Sequence, residues 1–130
     1  MDQRIAWARA EIERQLAKPL DIKRLAATVN LSPSRFSHLF QTETGLPPIR
    51  FLRERRMERA RVLLERTFLT VKEIMAQVGC SDPSHFTRDF RRYHGMPPRE
   101  WRMAIGRGTG EPSEQDPPTD SPPRQRTRGS

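Results

Sequence analysis

Phe36-Ser-His-Leu-Phe40, followed by Gly45-Leu-Pro-Pro48 and Phe51, returns 50 residues later as Phe86-Thr-Arg-Asp-Phe90, Gly95-Met-Pro-Pro98 and Trp101. Upstream of each, Ile22-Lys-Arg-Leu-Ala-Ala-Thr-Val29 matches Val71-Lys-Glu-Ile-Met-Ala-Gln-Val78 at an offset of 49. The chain is therefore internally duplicated. One extra residue lies between the two blocks of the second copy, where a turn accepts it cheaply. A repeat near 50 residues can also build a solenoid or a propeller. Two copies are too few for those, and no alternating strand-like runs occur. The pattern predicts two copies of one helical unit.

Each copy divides into helix, turn, helix. Asp21 is placed to cap the first short helix, and Thr70 with Glu73 has capping-box spacing for its counterpart. Turns follow around Asn30-Leu-Ser-Pro33 and Gly79-Cys-Ser-Asp82. Ser32 before Pro33, and Asp82 before Pro83, suit an N-cap with proline in the first helical position. Gly45 and Gly95 stand where a helix ends in a left-handed residue, each with proline two positions on. Two short helices across a tight turn form the helix-turn-helix motif.

Further helices complete the plan. Over 3–17, Ile5, Ala8, Ile12 and Leu16 form one stripe suited to packing on the first unit. A longer helix over 48–66 links the units, with Leu52, Ala60, Leu63 and Leu64 as buried positions. It also carries Arg50, Arg53, Arg55, Arg56, Arg59, Arg61 and Arg66. That run reads either as a solvated face or as arginines of which one or two reach a DNA phosphate. A last helix starts near Pro98 and ends before Gly106. The expected organisation is all-α: one domain over 1–105, with a first unit at 3–46, a linker helix at 47–67 and a second unit at 68–105. Residues 106–130 contain no Ile, Leu, Val, Met, Phe, Trp or Tyr. They cannot bury enough apolar surface to offset ordering entropy and are expected to form a disordered tail.

The chain of 130 residues has a net charge of +8. Four of its 24 Lys and Arg, and four of its 16 Asp and Glu, fall in 106–130, leaving 20 against 12 in the helical part. A basic folded part beside a neutral tail points to a polyanionic partner. Cys80 is the only cysteine, which excludes an internal disulfide and a cysteine-based zinc cluster. No apolar run approaches the ~18 residues of a membrane span. The start is charged and amphipathic, unlike a signal peptide. A cytoplasmic protein is expected.

Helical geometry separates core from surface in the second helix of each unit. At about 100° per residue, Phe36, Leu39 and Phe40 share one side, and Ser34, Ser37, His38 and Gln41 the other. In the second unit Phe86, Phe90 and Tyr93 oppose Ser84, Thr87, Arg88 and Arg91. The four phenylalanines and Trp101 are assigned to the core. The outward faces hold hydroxyl, amide, imidazole and guanidinium groups without a carboxylate. Such a helix fits the B-DNA major groove, where each base pair shows a distinct donor and acceptor pattern. Arg88 leads the candidates because arginine can grip guanine O6 and N7 together. Arg35, Arg91, Arg92 and Arg99 suit phosphates better than bases, and Gln41 is grouped with them. His85 and His94 read as surface or packing residues. No second metal-ligating side chain is spaced around His38.

These residues resemble the DNA-binding domain of AraC/XylS-type transcriptional regulators. The resemblance rests on Leu-Ser-Pro-Ser-Arg-Phe-Ser-His-Leu-Phe (31–40), Thr-Gly-Leu-Pro-Pro (44–48), Arg-Met-Glu-Arg-Ala-Arg-Val-Leu-Leu (56–64), Val-Gly-Cys-Ser-Asp-Pro-Ser-His-Phe-Thr-Arg-Asp-Phe (78–90) and Gly-Met-Pro-Pro-Arg-Glu-Trp-Arg (95–102). It covers about 3–104. It implies seven helices in two subdomains joined by a central helix, with two recognition helices in successive major-groove segments roughly 34 Å apart. Carried over by position, the base readers are Ser34, Ser37, His38, Ser84, Thr87 and Arg88. Cys80 stands where the family usually has Phe, and Met75 where it usually has Ala; both are read as core changes that compensate in volume. Asp89, matching apolar Leu39, is expected to be partly exposed. Most members carry an effector or dimerisation domain ahead of this one. The chain is read as a stand-alone regulator or a fragment of a longer protein.

The expected function is sequence-specific binding of double-stranded DNA at promoters by a bacterial, nucleoid-associated transcription regulator. RNA polymerase is a further candidate partner; no membrane, small-molecule ligand, cofactor, metal or catalytic residue is expected. A non-specific architectural or RNA-binding protein is the alternative, but charge alone does not explain two capped helices with polar outward faces. An enzyme such as a methyl-accepting DNA repair protein needs an activated cysteine, against which a single Cys80 at a core position argues.

Overall fold

The computed structural model describes residues 1–106, and the stretch read as a tail otherwise lies outside the described residues. Seven helices follow in order: α1 Gln3–Arg14, α2 Ile22–Thr28, α3 Pro33–Thr44, α4 Pro48–Arg66, α5 Val71–Val78, α6 Pro83–His94 and α7 Pro98–Ile105. The local signals place their ends. Asp21 accepts from the Arg24 N–H and Ser32 from the Arg35 N–H. Asp82 accepts from the Ser84 and His85 N–H groups. Thr70 and Glu73 close a full capping box. Gly45 and Gly95 end α3 and α6 at φ 88° and 91°, the left-handed region glycine enters without strain.

The duplication is visible in the turns. Leu31 N–H donates to Ala26 O at 2.9 Å, and Cys80 N–H to Met75 O at 2.9 Å, 49 residues on. Leu31 then leads directly into the N-cap Ser32, whereas Ser81 intervenes between Cys80 and the N-cap Asp82. Exposed Ser81 is thus the inserted residue.

Two apolar cores share one helix. The first joins Ile5, Ala8, Ile12, Ala26, Phe36 and Phe40 with Phe51 and Leu52 of α4. The second joins Ile74, Met75, Val78, Phe86 and Phe90 with Met57, Ala60 and Leu64 of the same helix. Each fully buried phenylalanine contributes roughly 1.5–3 kcal/mol of transfer free energy. Neither unit therefore owns a complete core without α4.

Several sequence expectations need adjustment. Helix α1 stops at Arg14 rather than 17. Pro19 disfavours a helical residue before it, and the Leu16 and Lys18 carbonyls turn instead to the Arg56 guanidinium, each at 2.9 Å. Leu16, Leu63 and Tyr93 are only partly buried, and Met57 supplies a fully buried position the stripe had not included. Trp101 is half-buried rather than core. Its ring packs edge-on to Phe90 while its indole N–H donates to Glu65 Oε2 at 3.1 Å on the exposed side, which keeps one edge of the ring towards solvent. Met75 is buried, and Cys80, half-buried in the turn, packs against the second core.

Candidate nucleic-acid interface

The two helices expected to face DNA are α3 and α6. Each is seated by a pair of buried phenylalanines one turn apart. Phe36 and Phe40 lie 5.8 Å apart, centroid to centroid, and Phe86 and Phe90 lie 6.1 Å apart. An aromatic ring from the following helix closes edge-on against each pair, Phe51 at 5.3 Å from Phe40 and Trp101 at 6.1 Å from Phe90. This aromatic wedge fixes which side of each helix points away from the protein.

The outward sides carry the nominated residues. Ser34, His38 and Gln41 are exposed on α3, with Ser37 half-buried beside them. Ser84, Thr87, Arg88 and Arg91 are exposed on α6. Arg35 and Arg92 are exposed on the flanks of these helices, and Arg99 is exposed in the first turn of α7. The structure thus brings each set of base-reading candidates onto one face of its own helix. Proline and the cap at the start of α3 and α6 fix the backbone that presents them.

Neighbouring polar groups divide into bound and available ones. Asp89 on α6 is half-buried, as expected for partial exposure, and its carboxylate lies 3.5 Å from His85 Nδ1. His94 belongs to packing: its ring lies 4.5 Å from Phe90, and its Nε2 lies 3.0 Å from the Met57 carbonyl oxygen. The arginine run of α4 splits likewise. Arg61 is paired with Glu58 and Glu65, and Arg55 reaches Glu13 at 4.0 Å and lies over the Phe51 ring. Arg56 is committed to backbone carbonyls. Arg50, Arg53, Arg59 and Arg66 remain exposed to solvent. Burial pushes the Cys80 thiol pKa up, which leaves it a poor nucleophile at neutral pH.

Two residues that position the interface were not singled out in the sequence. Arg56 ties α4 to the loop after α1. Arg102 of α7 donates to the carbonyls of Leu64, Leu69 and Thr67, at 3.1, 2.6 and 3.1 Å. It thereby holds the end of α4 that leads into the second unit. A signal for Arg56 existed: it stands four residues from both Leu52 and Ala60, inside an otherwise apolar stripe.

A family model described as "Helix-turn-helix domain" matches residues 25–104. The arabinose operon regulatory protein of Escherichia coli is 35% identical over 103 residues, covering 78% of this chain and 35% of that protein. The chain belongs to the AraC-type helix-turn-helix family. Another member, the transcriptional regulator GbdR of Pseudomonas aeruginosa, is also 35% identical over 103 residues, covering 79% of this chain and 28% of that protein. The chain therefore spans about a third, or less, of the length of these curated relatives. Among solved structures, the DNA-binding domain of AdpA in complex with a target DNA superimposes with a TM-score of 0.75 at 29% identity, covering 82% of this chain and 98% of that one. The family and this likeness account for the all-α, seven-helix plan without strands among the described residues.

Proposed function

We propose that this chain is the sequence-specific duplex-DNA-binding module of a bacterial transcription regulator, with α3 and α6 entering two successive major-groove segments. The observation that carries the reading is a pair of aromatic-seated, capped helices whose outward faces are polar, exposed and free of carboxylates. Ser34, Ser37 and His38 read bases in the first segment, and Ser84, Thr87 and Arg88 in the second. Arg35, Gln41, Arg91, Arg92 and Arg99 engage phosphates, which set register without carrying sequence information. The reading includes a cytoplasmic, nucleoid location and no catalytic step. RNA polymerase is a second candidate partner within it.

The test is selection of binding sites from random duplexes, followed by affinity measurements on the selected site and its single-base variants. Arg88→Ala should relax preference at one position, at a cost of about 1–3 kcal/mol. Uniform weakening on every sequence would remove base reading from Arg88. Equal affinity for random and selected duplexes would favour the non-specific architectural alternative.

A further inference from the structure

Asn30 and Gly79 occupy equivalent places in the two helix-turn-helix units. Each follows its first helix, each has positive φ (61° and 82°), and each precedes the equivalent backbone hydrogen bond. The turn itself demands only a left-handed residue, and Asn30 meets that demand with a side chain. The second unit has a different requirement. A Cβ built on Gly79 would stand 2.5 Å from the Ala17 carbonyl oxygen and 2.8 Å from its carbonyl carbon and Cα. Ordinary contact begins near 3.4 Å, and all three obstructing atoms are backbone or Cα. At Gly45 and Gly95, which share the left-handed conformation, nothing lies within 4 Å.

Ala17 belongs to the loop after α1, in the first unit. Its position there is not left to chance. The Arg56 guanidinium takes the carbonyls on either side of it, Leu16 and Lys18, at 2.9 Å each. Arg56 is half-buried, and its charge also couples to the Cys80 thiol next to Gly79. The loop of the first unit, the linker helix and the turn of the second unit therefore converge at one point. That turn leads within four residues into Pro83, the start of recognition helix α6.

We propose that Gly79, Ala17 and Arg56 form a joint between the two units that sets the spacing at which α3 and α6 meet DNA, with Gly79 as a residue that determines spacer specificity. The inference rests on the DNA-reading function proposed above. Because two backbones meet without an intervening side chain, the joint has little room to slide. One base pair shifts a half-site by about 3.4 Å along the axis and turns it by about 35°. A rigid joint should reject such a change, and a wedged or loosened one should tolerate it.

The experiment uses the site selected by the wild-type chain, remade with one base pair added or removed between the two groove segments. Wild type is expected to lose at least ten-fold in affinity on either change. Gly79→Asn retains a residue that accepts positive φ, as Asn30 shows, and isolates the steric effect. It should discriminate less than three-fold, or move its optimum by one base pair. Gly95→Asn pays the same conformational cost in open space and should keep wild-type discrimination. Arg56→Met keeps the aliphatic stem, frees the loop and should blunt discrimination in the same direction; it decides alone if Gly79→Asn fails to fold by circular dichroism. Wild-type discrimination in both Gly79→Asn and Arg56→Met overturns the joint, as does its loss in Gly95→Asn or indifference to spacing in the wild type. Equal wild-type affinity for random and selected duplexes is a separate outcome, and overturns the DNA-reading function beneath it.

Discussion

The two helix-turn-helix units agree inside and differ outside. Both seat their second helix on a phenylalanine pair at nearly the same tilt, 48° and 45°, and both close it with an edge-on ring at 77° and 78°. Their outward faces diverge. The first presents Ser34, Ser37, His38 and Gln41, while the second presents Arg88 and Arg91 among hydroxyls. Packing geometry tolerates few solutions, because interiors are close-packed and a single methylene is felt. A solvent-facing side chain is under no such constraint. The repeat therefore keeps its frame and varies its outward faces, which under the proposed function lets one architecture address two different base sequences.

The comparison can be broken most forcefully at the shared frame. Phe40→Ala and Phe90→Ala should each cost about 3–5 kcal/mol of stability. Because α4 completes both cores, urea unfolding of each variant should remain one transition. Two separate transitions would show that the units fold independently, and equivalence would then be a resemblance between neighbours.

A smaller effect tests the tie that the second unit has to the end of α4. Arg102→Met should destabilise by about 1.5–3 kcal/mol, since the charged hydrogen bonds to backbone carbonyls are lost. Arg102→Lys should restore only part of this, because an ammonium cannot match the planar fork of guanidinium donors. Full recovery by lysine would reduce Arg102 to a general positive charge near a helix C-terminus.

The smallest effect concerns Cys80, which takes the place of Leu31 in the other turn. Its thiol pKa is raised by burial, so less thiolate is present at any given pH than in a free cysteine. Alkylation by iodoacetamide should be slower than for a cysteine peptide at neutral pH, and should accelerate as pH rises. A rate equal to the peptide's at neutral pH would show that burial does not shield the Cys80 thiol.

Much of the frame is legible in the sequence. Caps at Asp21, Ser32, Thr70 and Asp82 act on N–H groups two or three residues away. The left-handed glycines answer to their own backbone, and helical periodicity sorts Phe36 from His38 by geometry alone. The site candidates were legible for the same reason: an outward face is the complement of a buried one. The limits appeared where a residue looked like one thing locally and served another. Arg56 reads as one of seven arginines on a long helix, Trp101 as core, and residues 15–17 as a continuation of α1.

The sequence by itself determined the duplicated helical plan, the helix ends and the two polar faces, because those follow from interactions within a turn or two of chain. Only the tertiary structure decided what Arg56 and Gly79 contact. Their partners lie far off in sequence: Arg56 bonds carbonyls 40 and 38 residues before it, and Gly79 abuts the backbone of Ala17. No local pattern encodes a contact between backbones of different units. It exists only once both cores have closed on the same helix and brought the loop after α1 against the turn of the second unit.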